Sequence, residues 1–326
     1  MDDMLELIKK EFIFDDPTPV PECHASTILK LSNGNLLAAW FGGTREADLD
    51  TLIWISLCEN DVWSPPRPVT PEVSVQHWNP VLFQKQDGTI LLFYKLCYPI
   101  SDWHTRVVSS TDGGKTWSLP REMVPGDRTG GRGPVKNKNL RLSNGRVLAP
   151  GSVERLPWRC FIDISDDDGD TWIKHPIPVN SAHANELHLI QPTLWEQPAG
   201  CVHALMRSNR GCVFQSVSED YGETWSPALP TDIPNNNSGI DCVRMDSGAI
   251  VLAYNPIGEN WGIRYPLSIA VSLDNGATFT RIMDVETEPC PSGYCYPAVI
   301  ADGKTIHLTY TWDRKKIAHC ILEEVD

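Results

Sequence analysis

The sequence predicts an all-β fold, a six-bladed β-propeller with four antiparallel strands in each blade. Two repeats that run out of phase with each other predict this fold. The first is an eight-residue turn that returns five times, and the second is a pair of short apolar strands that returns six times. Each pair is followed by a third strand, and in most repeats by a turn and a fourth strand. The two repeats together therefore indicate six blades.

The eight-residue turn has the form Ser-x-Asp-x-Gly-x-Thr-aromatic. Its aspartate can accept hydrogen bonds from backbone amides, its glycine can take a positive φ, and its aromatic ring packs on apolar neighbours. We therefore predict that these acids stabilise turns and do not bind a metal or a ligand. Four copies keep nearly the whole pattern, at 110–117, 165–172, 218–225 and 272–279, whereas the copy at 56–63 keeps only Ser, the spacing and Trp.

The two ends of the chain predict how the ring closes. The sixth repeat stops after its third strand, KKIAHCILEE, and has neither the turn motif nor a fourth strand. The stretch from Lys10 to Phe14 is apolar, extended and otherwise unpartnered. We expect it to supply the outer strand of the sixth blade, which removes an open sheet edge. The continuous repeat predicts a single domain over residues 1–326.

Composition restricts the partners. A net charge of −14 argues against nucleic acid and against an anionic membrane surface. No apolar stretch approaches a membrane span, and the first residues lack a signal pattern, so we expect a cytoplasmic protein. The ten cysteines show no paired spacing and are predicted to be free, mostly buried thiols. No metal-binding motif is visible, and we predict no cofactor.

Several segments resemble one family. They are HASTILKLSNGNLLAAWFGGTREADLD, HWNPVLF, GPVKNKNLRLSNGRVLAPGS, NNNSGIDCVR and YPAVI. With the repeated turns, they make the chain similar to the sialidase-like Asp-box (BNR repeat) propellers, in particular to a sialidase-related branch of uncertain activity. The resemblance covers nearly the whole chain and implies a carbohydrate substrate.

The resemblance also implies a set of catalytic residues. Sialidases of this fold hold the substrate carboxylate with three arginines, use a tyrosine nucleophile assisted by a glutamate, and use an aspartic acid as general acid and base. In this sequence the second and third arginines match Arg207 and Arg264, and the nucleophile matches Tyr296. Asp48 falls where the acid and base is expected, with Asp50 as the second choice.

Two positions depart from the sialidase pattern. His24 stands where the first arginine is expected, and Gln191 stands where the assisting glutamate is expected. A glutamine cannot accept a proton from a tyrosine, which questions the usual activation of the nucleophile unless a nearby acid such as Glu186 takes its place. Lys136 is a candidate to replace the missing arginine as a partner of the substrate carboxylate.

Other polar residues lie at corresponding points of the inner strands. Innermost strands are usually apolar, so polar side chains at the same point of several blades predict a lined pocket. Each of these residues is equally compatible with a structural role in a turn. The candidates are Arg45, Glu46, His77, Asn79, Lys136, Asn137, Asn237, Ser238 and Asp241.

Three functions remain open from the sequence. The first is an exo-acting glycoside hydrolase that removes a terminal acidic sugar, with Asp48 as acid and base and Tyr296 or a water as nucleophile. The second is a lyase of rhamnosyl-glucuronate linkages, in which His24 or His77 removes the proton α to a uronate carboxylate. The third is a glycan-binding propeller without turnover. In each case we expect an anionic oligosaccharide or glycoside as the partner.

Overall fold

The computed structural model describes residues 4–16, 18–71, 74–97, 102–180 and 184–325. Within these ranges the chain forms 25 β-strands in six antiparallel sheets. The sheets are arranged as the six blades of a ring, and each contains four strands, with one additional short strand in the first blade. The predicted six-bladed β-propeller is confirmed.

In blades 1 to 5 the strands follow the chain in order from the inner to the outer edge, whereas blade 6 takes its outer strand from the N-terminal part of the chain. Blade 1 consists of β2 (Glu22–Lys30), β3 (Leu36–Gly43), β4 (Leu52–Glu59), β5 (Val62–Trp63) and β6 (Arg67–Pro68). Blade 2 consists of β7 (Gln76–Gln84), β8 (Ile90–Cys97), β9 (His104–Ser110) and β10 (Arg121–Glu122). Blade 3 consists of β11 (Leu140–Arg141), β12 (Val147–Val153), β13 (Arg159–Ser165) and β14 (Ile173–Pro176).

The second half of the ring repeats this order. Blade 4 consists of β15 (Leu189–Glu196), β16 (Val202–Ser208), β17 (Cys212–Ser218) and β18 (Leu229–Pro234). Blade 5 consists of β19 (Asp241–Arg244), β20 (Ile250–Tyr254), β21 (Leu267–Ser272) and β22 (Thr280–Glu286). Blade 6 consists of β23 (Tyr294–Asp302), β24 (Thr305–Trp312), β25 (Lys316–Glu324) and the N-terminal strand β1 (Leu5–Phe12).

The core lies between neighbouring blades. All eight residues of β3 are buried, since this strand packs against sheets on both of its faces. One apolar cluster joins Val251 and Ile269 of blade 5 to Leu308 and Tyr310 of blade 6. Apolar burial of this kind is the main stabilising term for a ring of small sheets.

The repeated turns have the structural role that the sequence predicts. In the turn at 110–117, Asp112 accepts bonds from Ser110 Oγ (2.8 Å) and Thr116 Oγ1 (2.6 Å). The Gly114 amide donates to Ser110 Oγ at 2.9 Å, and Trp117 Nε1 donates to the Gly114 carbonyl at 3.1 Å. The Ser, Asp, Gly and Thr bonds recur in the turns that begin at Ser165, Ser218 and Ser272. Each turn joins the third strand of a blade to the fourth.

The N-terminal strand closes the ring, as predicted, although it begins earlier than expected. Strand β1 covers Leu5–Phe12 rather than residues 10–14, and it pairs antiparallel with β25 from Leu5 opposite Glu324 to Phe12 opposite Ala318. Alternation of apolar and charged residues in LELIKKEF hides the strand from a search for apolar runs.

A group of four side chains joins this closing strand to blades 1 and 6, and we call it the closure cluster. Glu11 Oε1 accepts a bond from Trp63 Nε1 at 3.2 Å and lies 3.1 Å from His319 Nδ1. His319 Nε2 lies 3.1 Å from His307 Nδ1. Trp63 belongs to the degenerate turn at 56–63, so the tryptophan that completes other turns here bonds the N-terminal strand instead.

All ten cysteines are unpaired, and seven of them are buried. Among the described residues, no helix has both the length and the apolar character needed to cross a membrane.

Candidate active site

The innermost strands share one backbone feature near their starts. At corresponding points of the six blades, one residue has a positive φ, between 39° and 72°. In blades 1, 2, 4 and 6 it coincides with a shift in strand register, so the chain is bulged there. A bulge redirects a side chain out of the regular alternation of a strand. The six residues are Ala25, Asn79, Lys136, Gln191, Asn237 and Tyr296.

Three of these six residues meet around Arg207, which lies near the end of β16. The Arg207 guanidinium donates from Nε to Asn237 Oδ1 (3.1 Å) and from Nη1 to Gln191 Oε1 (3.1 Å). Nη1 also lies 3.1 Å from the hydroxyl oxygen of Tyr296. Arg207 is buried, so water does not screen its charge strongly. The structure therefore brings together Arg207, Tyr296, Gln191 and Asn237, all of which were selected from the sequence.

Gln191 donates a hydrogen bond to Tyr296, whereas a carboxylate at this position would accept one. Arginine carries only donors, so the Gln191 atom that faces Arg207 must be the oxygen, and this assigns the orientation of the amide. The amide nitrogen then faces the Tyr296 hydroxyl at 3.4 Å and donates to it. The phenolic oxygen receives two donors, and both stabilise negative charge on it.

His24 lies beside Tyr296 but not at the bulged position, which in blade 1 is held by Ala25. The two rings are in edge-to-face contact with centroids 4.2 Å apart, and His24 Nδ1 lies 3.0 Å from Thr311 Oγ1. Its Nε2 is buried and has no hydrogen-bond partner among the described residues. Burial and the nearby arginines, Arg314 first, hold the pKa of His24 well below its usual range. The imidazole is therefore neutral at pH 7.

Two further arginines face the same region. Arg264 precedes β21 and interacts electrostatically with Tyr296 and with Glu46. Arg314, in the turn between β24 and β25, forms an ion pair with Glu46, and its charge acts on His24. With Arg207 these residues give three guanidinium groups around Tyr296 and His24, the number that a carboxylate clamp of the sialidase type uses.

Lys136 does not have a free donor for a substrate. Its ammonium donates to Asn137 Oδ1 (2.8 Å), to the Ile240 carbonyl (2.7 Å) and to the Pro297 carbonyl. These three bonds use its three hydrogens, and burial lowers the pKa of Lys136 to about 7. The expectation that Lys136 replaces an arginine at the substrate is therefore not supported, and its role is to join blades 3, 5 and 6.

Asp241 also serves the ring. Its buried carboxylate accepts bonds from Thr193 Oγ1 (2.6 Å), Lys138 Nζ (3.0 Å) and the Val299 amide (2.8 Å). These partners belong to blades 4, 3 and 6, so the carboxylate links three blades to its own. Its predicted part in substrate binding gains no support from this geometry.

The loop between β3 and β4 carries the expected acid. Asp48 is an ion-pair partner of the exposed Arg45, with Arg45 Nη2 3.3 Å from Asp48 Oδ1. Asp50 accepts bonds from the backbone and hydroxyl of Thr44, which fixes it in the loop. Glu46 of the same loop contacts Arg314. Of the two candidates Asp48 is the freer, although no described bond joins it to Arg207 or Tyr296.

The remaining candidates are spread around the ring. Asn79 is buried at the bulged position of blade 2. His77 stacks on Tyr94, and its Nδ1 lies 2.9 Å from the Val75 carbonyl. Burial lowers the pKa of His77 to about 4. Glu186 is exposed and paired with Arg210 at 2.9 Å, so it does not replace the missing glutamate.

Sequence reasoning missed two charged residues of the site, Arg314 and Glu154. Both come within two residues of the end of the second strand of a blade, Arg314 after β24 and Glu154 after β12. Arg207 is the last residue but one of the second strand of blade 4, so chain segments at the ends of second strands meet at the candidate site. This common position in the repeat was the signal that could have identified both residues. Among the described residues, no group of three or more His, Cys, Asp or Glu could hold a metal ion.

Sialidases are among the known proteins that this chain resembles, both in sequence and in structure. The chain is 26% identical over 238 residues to a sialidase of Paraclostridium sordellii, covering 61% of this chain and 56% of the relative. It is 27% identical over 237 residues to a sialidase of Bacteroides fragilis, covering 67% of this chain and 41% of the relative. The chain therefore spans about half the length of these relatives.

The fold comparison covers nearly the whole chain. A protein of unknown function from Dyadobacter fermentans superposes with a TM-score of 0.80 at 19% identity, over 98% of this chain and 99% of the other. The NanB sialidase of Streptococcus pneumoniae superposes with a TM-score of 0.75 at 13% identity, over 97% of this chain and 70% of the other. At these identities the likeness shows the fold alone.

The family described as BNR repeat-like domain matches residues 34–308. This span contains blades 2 to 5 completely and parts of blades 1 and 6, and it includes Arg207, Arg264 and Tyr296. The chain therefore belongs to the BNR repeat-like family of sialidase-related propellers.

Proposed function

We propose that this protein is an exo-acting glycoside hydrolase that removes a terminal, carboxylate-bearing sugar. The observation that supports this most directly is the pair of donors on Tyr296, Arg207 Nη1 at 3.1 Å and Gln191 Nε2 at 3.4 Å. They stabilise the charge that an attacking phenolic oxygen must carry. Sialidase relatives of low identity support the reaction class.

In this proposal the three arginines hold the sugar carboxylate. Asn237 and Gln191 orient the Arg207 guanidinium, while Arg264 and Arg314 approach from blades 5 and 6. Planar guanidinium groups bind carboxylates through two parallel hydrogen bonds, which fixes the orientation of the sugar. Glu46 competes for Arg314 in the free protein.

The chemistry proceeds in two displacements. Tyr296 loses its hydroxyl proton to solvent and its oxygen forms a bond to the anomeric carbon as the bond to the leaving oxygen breaks, while Asp48 gives a proton to that leaving oxygen. A water then attacks the same carbon, gives a proton to Asp48, and releases Tyr296. Gln191 takes no proton in this scheme, because it acts only as a donor to Tyr296.

One observation favours the lyase as a second candidate. His24 is neutral and buried, and its Nε2 has no hydrogen-bond partner within the ranges that the structure describes. That nitrogen can accept a proton α to a uronate carboxylate, whose charge the arginines would neutralise.

The test is a panel of oligosaccharides that end in sialic acid, glucuronate or a neutral sugar. Release of the terminal acidic sugar without absorbance in the near ultraviolet supports the hydrolase. An unsaturated uronate, which absorbs there, supports the lyase instead. Binding without release of any sugar contradicts both and supports a glycan-binding propeller.

A further inference from the structure

Glu154 is a carboxylate that directly adjoins the Arg207 site but belongs to blade 3. It follows β12. Ser152, two residues earlier, accepts a hydrogen bond at its Oγ from the backbone N–H of Gln191, at 3.4 Å. Side chains two apart on an extended chain point to the same side. Glu154 is therefore directed toward blade 4 and forms a hydrogen bond with the side chain of Gln191.

The Gln191 amide connects Glu154 to the rest of the site. Its oxygen faces Arg207, so its nitrogen supplies one hydrogen to the Tyr296 hydroxyl and the other to Glu154. The second carboxylate oxygen, Oε1, is shielded from solvent and has no partner in the part of the chain that the structure describes. A buried acceptor without a partner is costly when it is charged.

Charged and titratable groups surround Glu154 on several elements. Arg207 of β16 and Lys95 of β8 stabilise its anionic form, whereas Glu46 of the β3–β4 loop opposes it. The thiols of Cys97 and Cys160 also lie within its field. Burial outweighs the cations and raises the pKa of Glu154 to about 7.

A ligand carboxylate at Arg207 would place a second anion in this shielded region. A like charge favours the protonated form of a neighbouring carboxyl group, and linkage requires the effect to be mutual. We propose that Glu154, which is connected to Arg207 through the side chain of Gln191, couples the two groups, so that binding of an anionic sugar at Arg207 is accompanied by uptake of a proton by Glu154. This inference rests on the proposed function for the identity of the anion.

The direction of the pH effect follows from the coupling. Below pH 7 Glu154 is already protonated, so the ligand binds without uptake of a proton. Above pH 7 the ligand must bring a proton with it, so the affinity falls by about tenfold between pH 6 and pH 8. Lys95 and Lys136, whose pKa values burial lowers to about 7, lose charge over the same range. A variant of Glu154 is therefore needed to separate the contributions.

The experiment is isothermal calorimetry of the full chain with N-acetylneuraminate, glucuronate and inorganic sulfate, in two buffers of different ionisation enthalpy at pH 6, 7 and 8. The wild type should take up a proton on binding at pH 7 and 8. Glu154→Gln should bind at pH 8 with severalfold higher affinity than the wild type and should lose most of the proton uptake. The matched control, Glu186→Gln at an exposed position, should behave like the wild type. If Glu154→Gln does not fold, Glu154→Met replaces it.

The outcomes separate this inference from the proposed function. Equal proton uptake in the wild type and in Glu154→Gln overturns the coupling, even if the sugars are bound and hydrolysed. If the sugars do not bind but sulfate binds with Glu154-dependent proton uptake, the coupling stands and the proposed function is contradicted. If no anion binds to the wild type at any pH, both are contradicted.

Discussion

The outer turns and the inner bulges both recur around the ring, but the outer turns share backbone and side chains, whereas the inner bulges share only the backbone conformation. In the outer turns both the backbone and the side chains recur, since Ser, Asp, Gly and Thr make the same bonds in blades 2 to 5. In the inner bulges only the backbone recurs. A positive φ is found in every blade, but the residue there changes from Ala to Asn, Lys, Gln, Asn and Tyr.

This difference distinguishes the positions that stabilise the fold from those that form the candidate site. The outer turns use the same side chains in each copy, and these side chains bond within their own blade. The bulged positions have neighbours across the ring, such as Gln191 and Tyr296, which are 105 residues apart in sequence. Five kinds of side chain at six positions of one shared backbone frame can build an asymmetric site at the centre of a nearly symmetric fold.

The largest effect is expected from the hydroxyl at the centre of the site. Tyr296→Phe removes the proposed nucleophile and should lower kcat by on the order of 10³. The free energy of unfolding should change by less than about 1.5 kcal/mol, because one partly exposed hydroxyl is lost. Steady-state kinetics and chemical denaturation measure the two quantities. Retention of wild-type kcat would exclude the double displacement.

A second prediction concerns the closure cluster, which joins β1 to blades 1 and 6. Burial lowers the pKa of His307 to about 4, below its unfolded value near 6.5. The contribution of neutral His307 to the free energy of unfolding is therefore complete above pH 6.5, and about 3 kcal/mol of it is lost as the pH falls toward 4. Chemical denaturation at pH 4.5 and 7.5 measures the change in this free energy, which should be smaller for His307→Gln than for the wild type. The control variant His104→Gln should show the same change as the wild type, and an equal reduction in both variants would contradict the assignment.

The third prediction concerns the clamp. Arg207→Ala should weaken binding of an anionic sugar by more than about 2 kcal/mol, because it removes a buried charge that faces the ligand. Titration calorimetry with N-acetylneuraminate measures this change. The control is Arg210→Ala, three residues further along the chain, where an exposed arginine forms an ion pair with Glu186. This variant should bind the sugar with wild-type affinity. Unchanged affinity in Arg207→Ala would contradict the clamp.

The outer turns should affect stability without affecting activity. In Ser165→Ala the buried Gly169 amide loses its acceptor at 2.7 Å, at a cost of about 1–3 kcal/mol. Ser218→Ala should cost a similar amount, because the Gly222 amide donates to Ser218 Oγ in the same way. Thermal and chemical denaturation measure both variants. A fall in kcat/KM at a temperature where both are folded would show that these turns reach the site.

The smallest effect is expected from a glycine under the site. A Cβ on Gly239 would lie 3.2 Å from Lys136 Cε and 3.2 Å from Tyr296 Cδ1, closer than ordinary packing allows. Gly239→Ala should therefore displace the tyrosine ring by a few tenths of an ångström and lower kcat about tenfold. Stability should change by less than about 1 kcal/mol, since the neighbours can adjust. An unchanged kcat would show that the ring position tolerates this shift.

The two repeats explain how much could be predicted from the sequence. Local patterns determine the turns and the hairpins, so the blade count and the closing strand follow from spacing alone. The resemblance and the phase of the repeat made Arg207 and Tyr296 candidates, and the structure places Arg207 Nη1 3.1 Å from the Tyr296 hydroxyl oxygen. Arg314 and Glu154 were not selected because they lie in short charged turns that resemble solvated loops. The contacts of Lys136 could not be predicted, because its three acceptors are two backbone carbonyls from other blades and the neighbouring Asn137, which no sequence pattern reveals.

The closing pair of strands has a consequence for how the chain folds. Strand β1 has its partner, β25, some 300 residues later, because Leu5 lies opposite Glu324. A contact of such sequence separation forms slowly, and on the ribosome it must wait until the last strand has emerged. Until then β1 has no partner and presents unpaired edges that other chains can extend. The charged residues of LELIKKEF are well placed to prevent that, so they protect the nascent chain before they close the finished ring.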